Sequence, residues 1–248
     1  MIGSPTMKFQ VAVFLLLTAF AGSSAADSPD ATAPKTVAPK VADAKAVDPK
    51  VAEAKAAEAV KKVQAFYDKT KSFRSPFKQE YVIKAYNKSK TSSGTVVFLK
   101  PGKMRWNYTD PKNNLLVSDG QTLRVYEAAE HQMYETAVSK SQYPAALSFL
   151  TGDGKLEDSF SFEWRDGAGE MKFPGGYVLV GTPKAPSTAV QKLFLYVDAA
   201  TSQVRRVLIL DSQGNRNRFD FTSPRVNEPV AASEFIFTPP PGTTVTHP

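Results

Sequence analysis

Lys100-Pro101-Gly102-Lys103-Met104-Arg105-Trp106-Asn107-Tyr108 is a proline turn feeding a strand. Side chains alternate with period two along a strand, so Met104, Trp106 and Tyr108 share one face and Lys103, Arg105 and Asn107 the other. The first face is too apolar to leave in water; the second is wettable. A second apolar run, Thr95-Val96-Val97-Phe98-Leu99, lies just before the turn, and a third, Leu115-Leu116-Val117, lies after it and is closed by Asp119-Gly120. Three adjacent strands joined by tight turns describe an antiparallel sheet with one apolar side in need of cover.

The cover has two candidates. Asp48-Pro49 reads as a helix start, with a carboxylate at the N-cap and proline at the first helical position. From Val51 to about Lys71 an alanine-rich helix is expected, with Val60, Val63, Phe66 and Tyr67 on one stripe. A second, short helix is expected over Tyr143 to Leu150, opened by Pro144 and stopped by Gly152. Between and after them the pattern is strands: Phe77 to Tyr86 with Phe77, Tyr81 and Ile83 on one face, then a polar turn Asn87 to Ser93 into Gly94 to Leu99, and Thr122 to Ala128 and Gln132 to Thr136. Later strands fall at Ser159 to Trp164, Tyr177 to Gly181, Lys192 to Asp198, Val204 to Asp211, Arg216 to Thr222 and Glu234 to Thr238. About ten or eleven strands and two apolar helices fit one domain, α+β and mainly β, over residues 51–248. An open, curved sheet would expose a concave face, and the helices would be its lid.

The ends of the chain carry a different signal. Residues 1–25 are expected to be a secretory signal peptide: Lys8, the short apolar core Phe9 to Leu17, then small residues, with cleavage after Ala25 or Ala26. That core is too short for a membrane span and no other segment approaches one, so an exported, periplasmic protein without stable membrane insertion is expected. Residues 26–50 are rich in Ala, Pro and Lys, with Lys35, Lys40, Lys45 and Lys50 at intervals of five and Pro34, Pro39 and Pro49 forbidding a continuous helix. They read as a semi-extended spacer, or as a basic contact to cell wall or membrane.

Of 248 residues none is cysteine, which removes a disulfide framework, a thiol nucleophile and a lipid-modified cysteine. Against 31 Lys+Arg stand 24 Asp+Glu, a net charge of +7. The basic residues are scattered, so the charge favours an anionic membrane or an acidic partner over nucleic acid. The two histidines, His131 in a polar turn and His247 near the end, are poorly placed for a general base. Nucleophile elbow, phosphate loop, dinucleotide fingerprint and metal-ligand spacing are missing, so no metal and no cofactor is expected, and Asp153, Glu157 and Asp158 read as an acidic surface loop. The abundant aromatics, 16 Phe, 9 Tyr and 2 Trp, serve either as an ordinary core or as the wall of an apolar site.

Ser72-Phe73 with Phe77 and Gln79, Gly94 with Pro101, Met104 to Trp106, Leu116 to Leu123 with Tyr126, Pro144 with Leu147, and Phe235 to Pro240 with Gly242 and Val245 recur in order and spacing from about Val60 to Val245. In these the chain resembles the LolA family of periplasmic carriers of outer-membrane lipoproteins. The resemblance implies a curved antiparallel half-barrel of about eleven strands closed by lid helices. It also implies a monomeric, non-enzymatic chaperone that takes acylated lipoproteins from an inner-membrane ABC transporter and hands them to an outer-membrane acceptor. The alternative is an envelope sensor or scaffold of the same fold that binds lipid or protein without shuttling; an envelope hydrolase stands third. Val97, Leu99, Met104, Trp106, Tyr108, Leu147, Phe149 and Leu150 are expected as wall or lid. Where the family typically has an arginine that hydrogen-bonds the lid helix, this chain has Lys100, which is either a strand-end lysine in solvent or the lid contact; the second is the expectation here. Met104 stands where phenylalanine is frequent, and Ala145-Ala146 after Pro144 leave room beneath the short helix.

Overall fold

The computed structural model describes residues 49–140, 148–152 and 154–247. The expected signal peptide and nearly all of the expected spacer lie outside them, as do Leu147 and Asp153. No described helix is long and apolar enough to cross a membrane.

Helix α1 covers Pro49–Lys69; of the expected stripe Val60, Val63 and Tyr67 are buried and Phe66 is half-buried against the same cluster, and Ala56 and Ala59 extend the buried side. Strands β1 (Ser72–Ile83) and β2 (Lys88–Leu99) pair over their whole length, from Ser72 opposite Leu99 to Ile83 opposite Lys88. The polar segment expected as a turn is therefore mostly strand; only Lys84–Asn87 turns, with Asn87 left-handed at φ 47°. The meander goes on through β3 (Lys103–Asp110), β4 (Leu115–Asp119), β5 (Thr122–Glu127) and β6 (Gln132–Ala137). Two short helices follow, α2 (Ser148–Thr151) and α3 (Leu156–Ser159). A second meander then runs through β7 (Phe160–Asp166), β8 (Gly176–Pro183), β9 (Lys192–Asp198), β10 (Val204–Leu210) and β11 (Arg216–Phe221).

Strand β1 pairs with β2 on one side and β11 on the other, so it joins the two meanders into one sheet. The long strands number eleven among the described residues, and the sheet stays open, with β7 at one end. Two short pieces complete it: β12 (Arg225–Val226) beside β1, and β13 (Thr244–Thr246) parallel to β6.

The strand expected at Glu234 to Thr238 is not one. Residues Ala232–Phe235 form a 3-10 turn, and the segment crosses the convex face of the sheet instead of extending its edge. Both sides of β1 are already paired, so a late segment with alternating Phe235 and Phe237 finds cover only on a face. There Phe235 is buried against Val97, Val117, Tyr126 and Met133. Polar contacts hold the strap in register: Arg74 Nη2 donates to both carboxylate oxygens of Glu234, at 3.0 and 2.8 Å, and Arg105 Nη1 donates to the carbonyl of Glu234 at 2.8 Å. Arg105 and its face, expected in solvent, are accordingly half-buried.

One glycine is required by packing. At Gly94, where the β2–β3 register shifts, a Cβ would collide with the Asn107 carbonyl oxygen and press on the Phe77 ring. Gly94→Ala is expected to lower the unfolding free energy by about 1 to 3 kcal/mol, read as a shifted urea midpoint at unchanged slope.

Candidate functional site

The concave face is apolar from β5 to β8, and Trp106 stands at its centre. Its ring lies 4.9 Å from Phe77, 5.7 Å from Phe98 and 5.3 Å from Phe219, centroid to centroid, in edge-on or tilted contacts. Such pairs add roughly 0.5 to 1.5 kcal/mol each beyond the area they bury. Trp106 is 2% exposed, and its Nε1–H has no acceptor among the described residues. Next to it Tyr108 donates to Gln79 Oε1 at 3.3 Å, and Gln79 donates to Asn217 at 2.9 Å.

The helices supply the opposite wall. Val60, Val63 and Tyr67 of α1 and Phe149 and Leu150 of α2 belong to the same apolar cluster as Phe98, Met104 and Trp106. Tyr67 is the pivot: its ring meets Phe149 edge-on at 4.8 Å, and its hydroxyl accepts from the Val204 amide of β10 at 3.2 Å. Burial raises the hydroxyls of Tyr67 and Tyr108 above their ordinary pKa.

Besides the Tyr67 hydroxyl, further polar contacts among the described residues tie the parts of this cover to the sheet and to one another. Lys100 Nζ donates to the Tyr67 carbonyl in the last turn of α1 at 2.6 Å; that carbonyl also accepts from the Thr70 amide at 3.0 Å, and the cation sits at the negative end of the helix. Its stem passes beneath Gly152 so closely that a Cβ there would stand 2.8 Å from Lys100 Cδ, and Gly152 holds φ +85°. The Gly102 amide donates to the Thr151 carbonyl of α2 at 3.1 Å, and the Leu156 amide donates to Gln64 of α1 at 2.9 Å. At the other end of α1, Lys55 Nζ sits 3.2 Å from the centre of the Trp164 ring, on the free edge strand β7.

Of the expected wall and lid residues, Met104, Trp106, Tyr108, Phe149 and Leu150 line this interior, and Lys100 touches the lid helix. Leu147 lies outside the described residues. Val97 and Leu99 are corrections: both point to the convex face, into the cluster under the C-terminal strap. The concave positions of β2 are Val96, opposite Trp106, and Phe98, opposite Met104. The run Thr95 to Leu99 is apolar on both sides, so alternation cannot choose between them; counting outward from the turn, where Leu99 faces Lys103, does. Phe77, Phe219 and Phe221 also belong to the wall; alternation puts Phe77 on an apolar face of its strand, but that this face meets Trp106 depends on the pairing of β1 with β2 and β11. Glu157 and Asp158 are exposed, and among the described residues no group of acids and histidines could hold a metal.

A family model for the outer membrane lipoprotein carrier protein LolA matches residues 68–238. An outer-membrane lipoprotein carrier protein of Cupriavidus necator is 33% identical over 193 residues, covering 75% of this chain and 87% of that protein. That of Dechloromonas aromatica is 28% identical over 187 residues, covering 75% and 86%. A solved LolA-superfamily protein from Nitrosomonas europaea aligns with a TM-score of 0.42 at 13% identity, over 73% of this chain and 97% of its own.

Lys100→Met keeps the stem and removes the donor. It is expected to raise binding of an apolar fluorescent dye about fivefold, the population shift of a hydrogen bond worth ~1 kcal/mol, and Lys100→Arg is expected to reverse it. The raised tyrosine pKa values set a second expectation. Their contribution to stability is complete below pH ~10, the ordinary tyrosine value, and is lost as pH rises through the folded-state values. Melting temperature is thus expected to fall with pH above ~10, and less steeply in Tyr67→Phe.

Proposed function

The chain belongs to the LolA family of outer-membrane lipoprotein carrier proteins, and on that premise we propose that it carries acylated lipoproteins across the periplasm, holding their acyl chains between the concave sheet and the lid helices. The observation that supports this most is an apolar interior whose cover is separable. The wall of strands is knit by backbone ladders, whereas the lid meets it through apolar packing and through side-chain and helix-end contacts such as Lys100 to the Tyr67 carbonyl.

Magnitudes fit a carrier that must both hold and release. Each acyl methylene withdrawn from water is worth ~0.8 kcal/mol, so a single long chain approaches ~12 kcal/mol and cannot cross an aqueous gap exposed. In the closed state the lid stripe of Val60, Val63, Tyr67, Phe149 and Leu150 occupies the wall that acyl chains would take. Cargo therefore exchanges one apolar partner for another, and the net cost of opening is set by the latching contacts, each about 1 to 3 kcal/mol. Met104, a flexible thioether side chain, adapts to chains of different shape. An inner-membrane ABC transporter would load the carrier and an outer-membrane acceptor would empty it. No step of this cycle calls for a catalytic residue, a cofactor or a metal.

The test is purification from the periplasm followed by mass spectrometry. Acylated lipoprotein is expected to co-purify with the wild-type chain and to be lost from Trp106→Glu, with circular dichroism checking that the variant stays folded. Equal capture of acylated and unacylated forms of one lipoprotein would sink the reading.

A further inference from the structure

The β1–β2 hairpin ends about 40 Å along the strands from the Lys100 latch, taking ~3.3 Å per residue over its twelve paired positions. Pairing with β3 begins only at Ser93, opposite Asp110, so Lys88 to Ser92 have no strand on that side. Residues 84–91 are exposed without interruption and carry Lys84, Lys88 and Lys90 with no carboxylate. At their apex Tyr86 is 74% exposed, the most exposed large apolar side chain among the described residues. Beside the tip, Lys84 and Arg216 line an open pocket of about 380 Å³ together with Asn87, Gln191 and the apolar Val82 and Leu210.

We propose that this tip is a docking surface for a bilayer of anionic phospholipid, with Tyr86 at the headgroup level and Lys84, Lys88 and Arg216 against the phosphates. Tyrosine flanked by lysine is the pairing that settles at a membrane interface, where the ring is half-immersed and the long cationic stems reach outward. An acidic protein surface would be met better by arginine, whose planar fork reads carboxylates two at a time, while lysines suit a diffuse, mobile layer of negative charge. Of the nearby acids, Glu80 is paired with Arg218 at 3.0 Å, and Asp211 keeps its charge but is buried, its carboxylate turned to the amides of Gln213 and Asn215 and to the Asn215 side chain, so that Lys84, Lys88 and Arg216 outnumber it at the surface. Lys90 lies in electrostatic reach of Glu127 and is left out of the contact. The surface is separate from the apolar interior, so it stands whether or not that interior carries lipoprotein.

Co-sedimentation with vesicles tests it. The purified protein is expected to pellet with vesicles containing about one third phosphatidylglycerol, not with pure phosphatidylcholine, and to be released by about 0.5 M salt. Tyr86→Ser and the double variant Lys84→Glu, Lys88→Glu are each expected to cut the bound fraction at least about fivefold. Lys172→Glu, an exposed lysine far along the chain with half the charge change of the double variant, is expected to leave it unchanged. All these positions are exposed, so matching melting curves are expected. No binding to the anionic vesicles, equal binding to both kinds, or hairpin variants that pellet like wild type through the lysines of the N-terminal segment would each overturn the proposal. Lipoprotein recovery from Tyr86→Ser, measured in parallel and expected to match wild type, keeps this result apart from the carrier reading.

Discussion

An open sheet cannot bury its own concave face, and here that face is floored with aromatic rings. Trp106 touches Phe77, Phe98 and Phe219, and these come from both meanders, so the surface exists only because β1 pairs with β11 as well as with β2. Water will not be left against such a surface. Everything else in the fold answers the question of what lies on it: helix α1 along its length, α2 at one end, and in the proposed cycle an acyl chain in their place.

The two faces of the sheet are covered in physically different ways. On the convex side the C-terminal strap is locked by the two-point Arg74–Glu234 ion pair, by Arg105 on a backbone carbonyl and by Phe235 at 0% exposure. Charge-assisted guanidinium contacts are short and directional, so that cover belongs to the fold. On the concave side the helix has one buried hydrogen bond, from the Val204 amide to the Tyr67 hydroxyl, and is further tied at its C-terminal turn by a lysine, a point charge on a flexible stem, and near its N-terminal end by Lys55 over Trp164, a contact open to solvent. Such interactions hold a population instead of locking a structure. The same sheet can therefore be rigid on one side and exchange its partner on the other.

Much of this was legible in the residues themselves. Met104, Trp106 and Tyr108 alternate with polar neighbours, and Val60, Val63 and Tyr67 recur at helical spacing, so a strand with an apolar face and a helix to cover it follow from local periodicity. Val97 and Leu99 were misassigned because period two carries no information in a run that is apolar throughout. The segment from Glu234 to Thr238 has the alternation of a strand yet crosses a face, since every edge near it is occupied. Nothing local marks Trp164 as the partner of Lys55.

The sequence alone therefore settled the kinds of element, the faces they must bury and the want of a lid, because each depends on residues a few positions apart. Only the tertiary structure decided which face of β2 meets the lid, that the C-terminal strap covers the other, and that Lys100 reaches the end of α1. Those outcomes depend on strand register and on contacts between segments far apart in the chain, where competition for one surface, and not local periodicity, selects the neighbour.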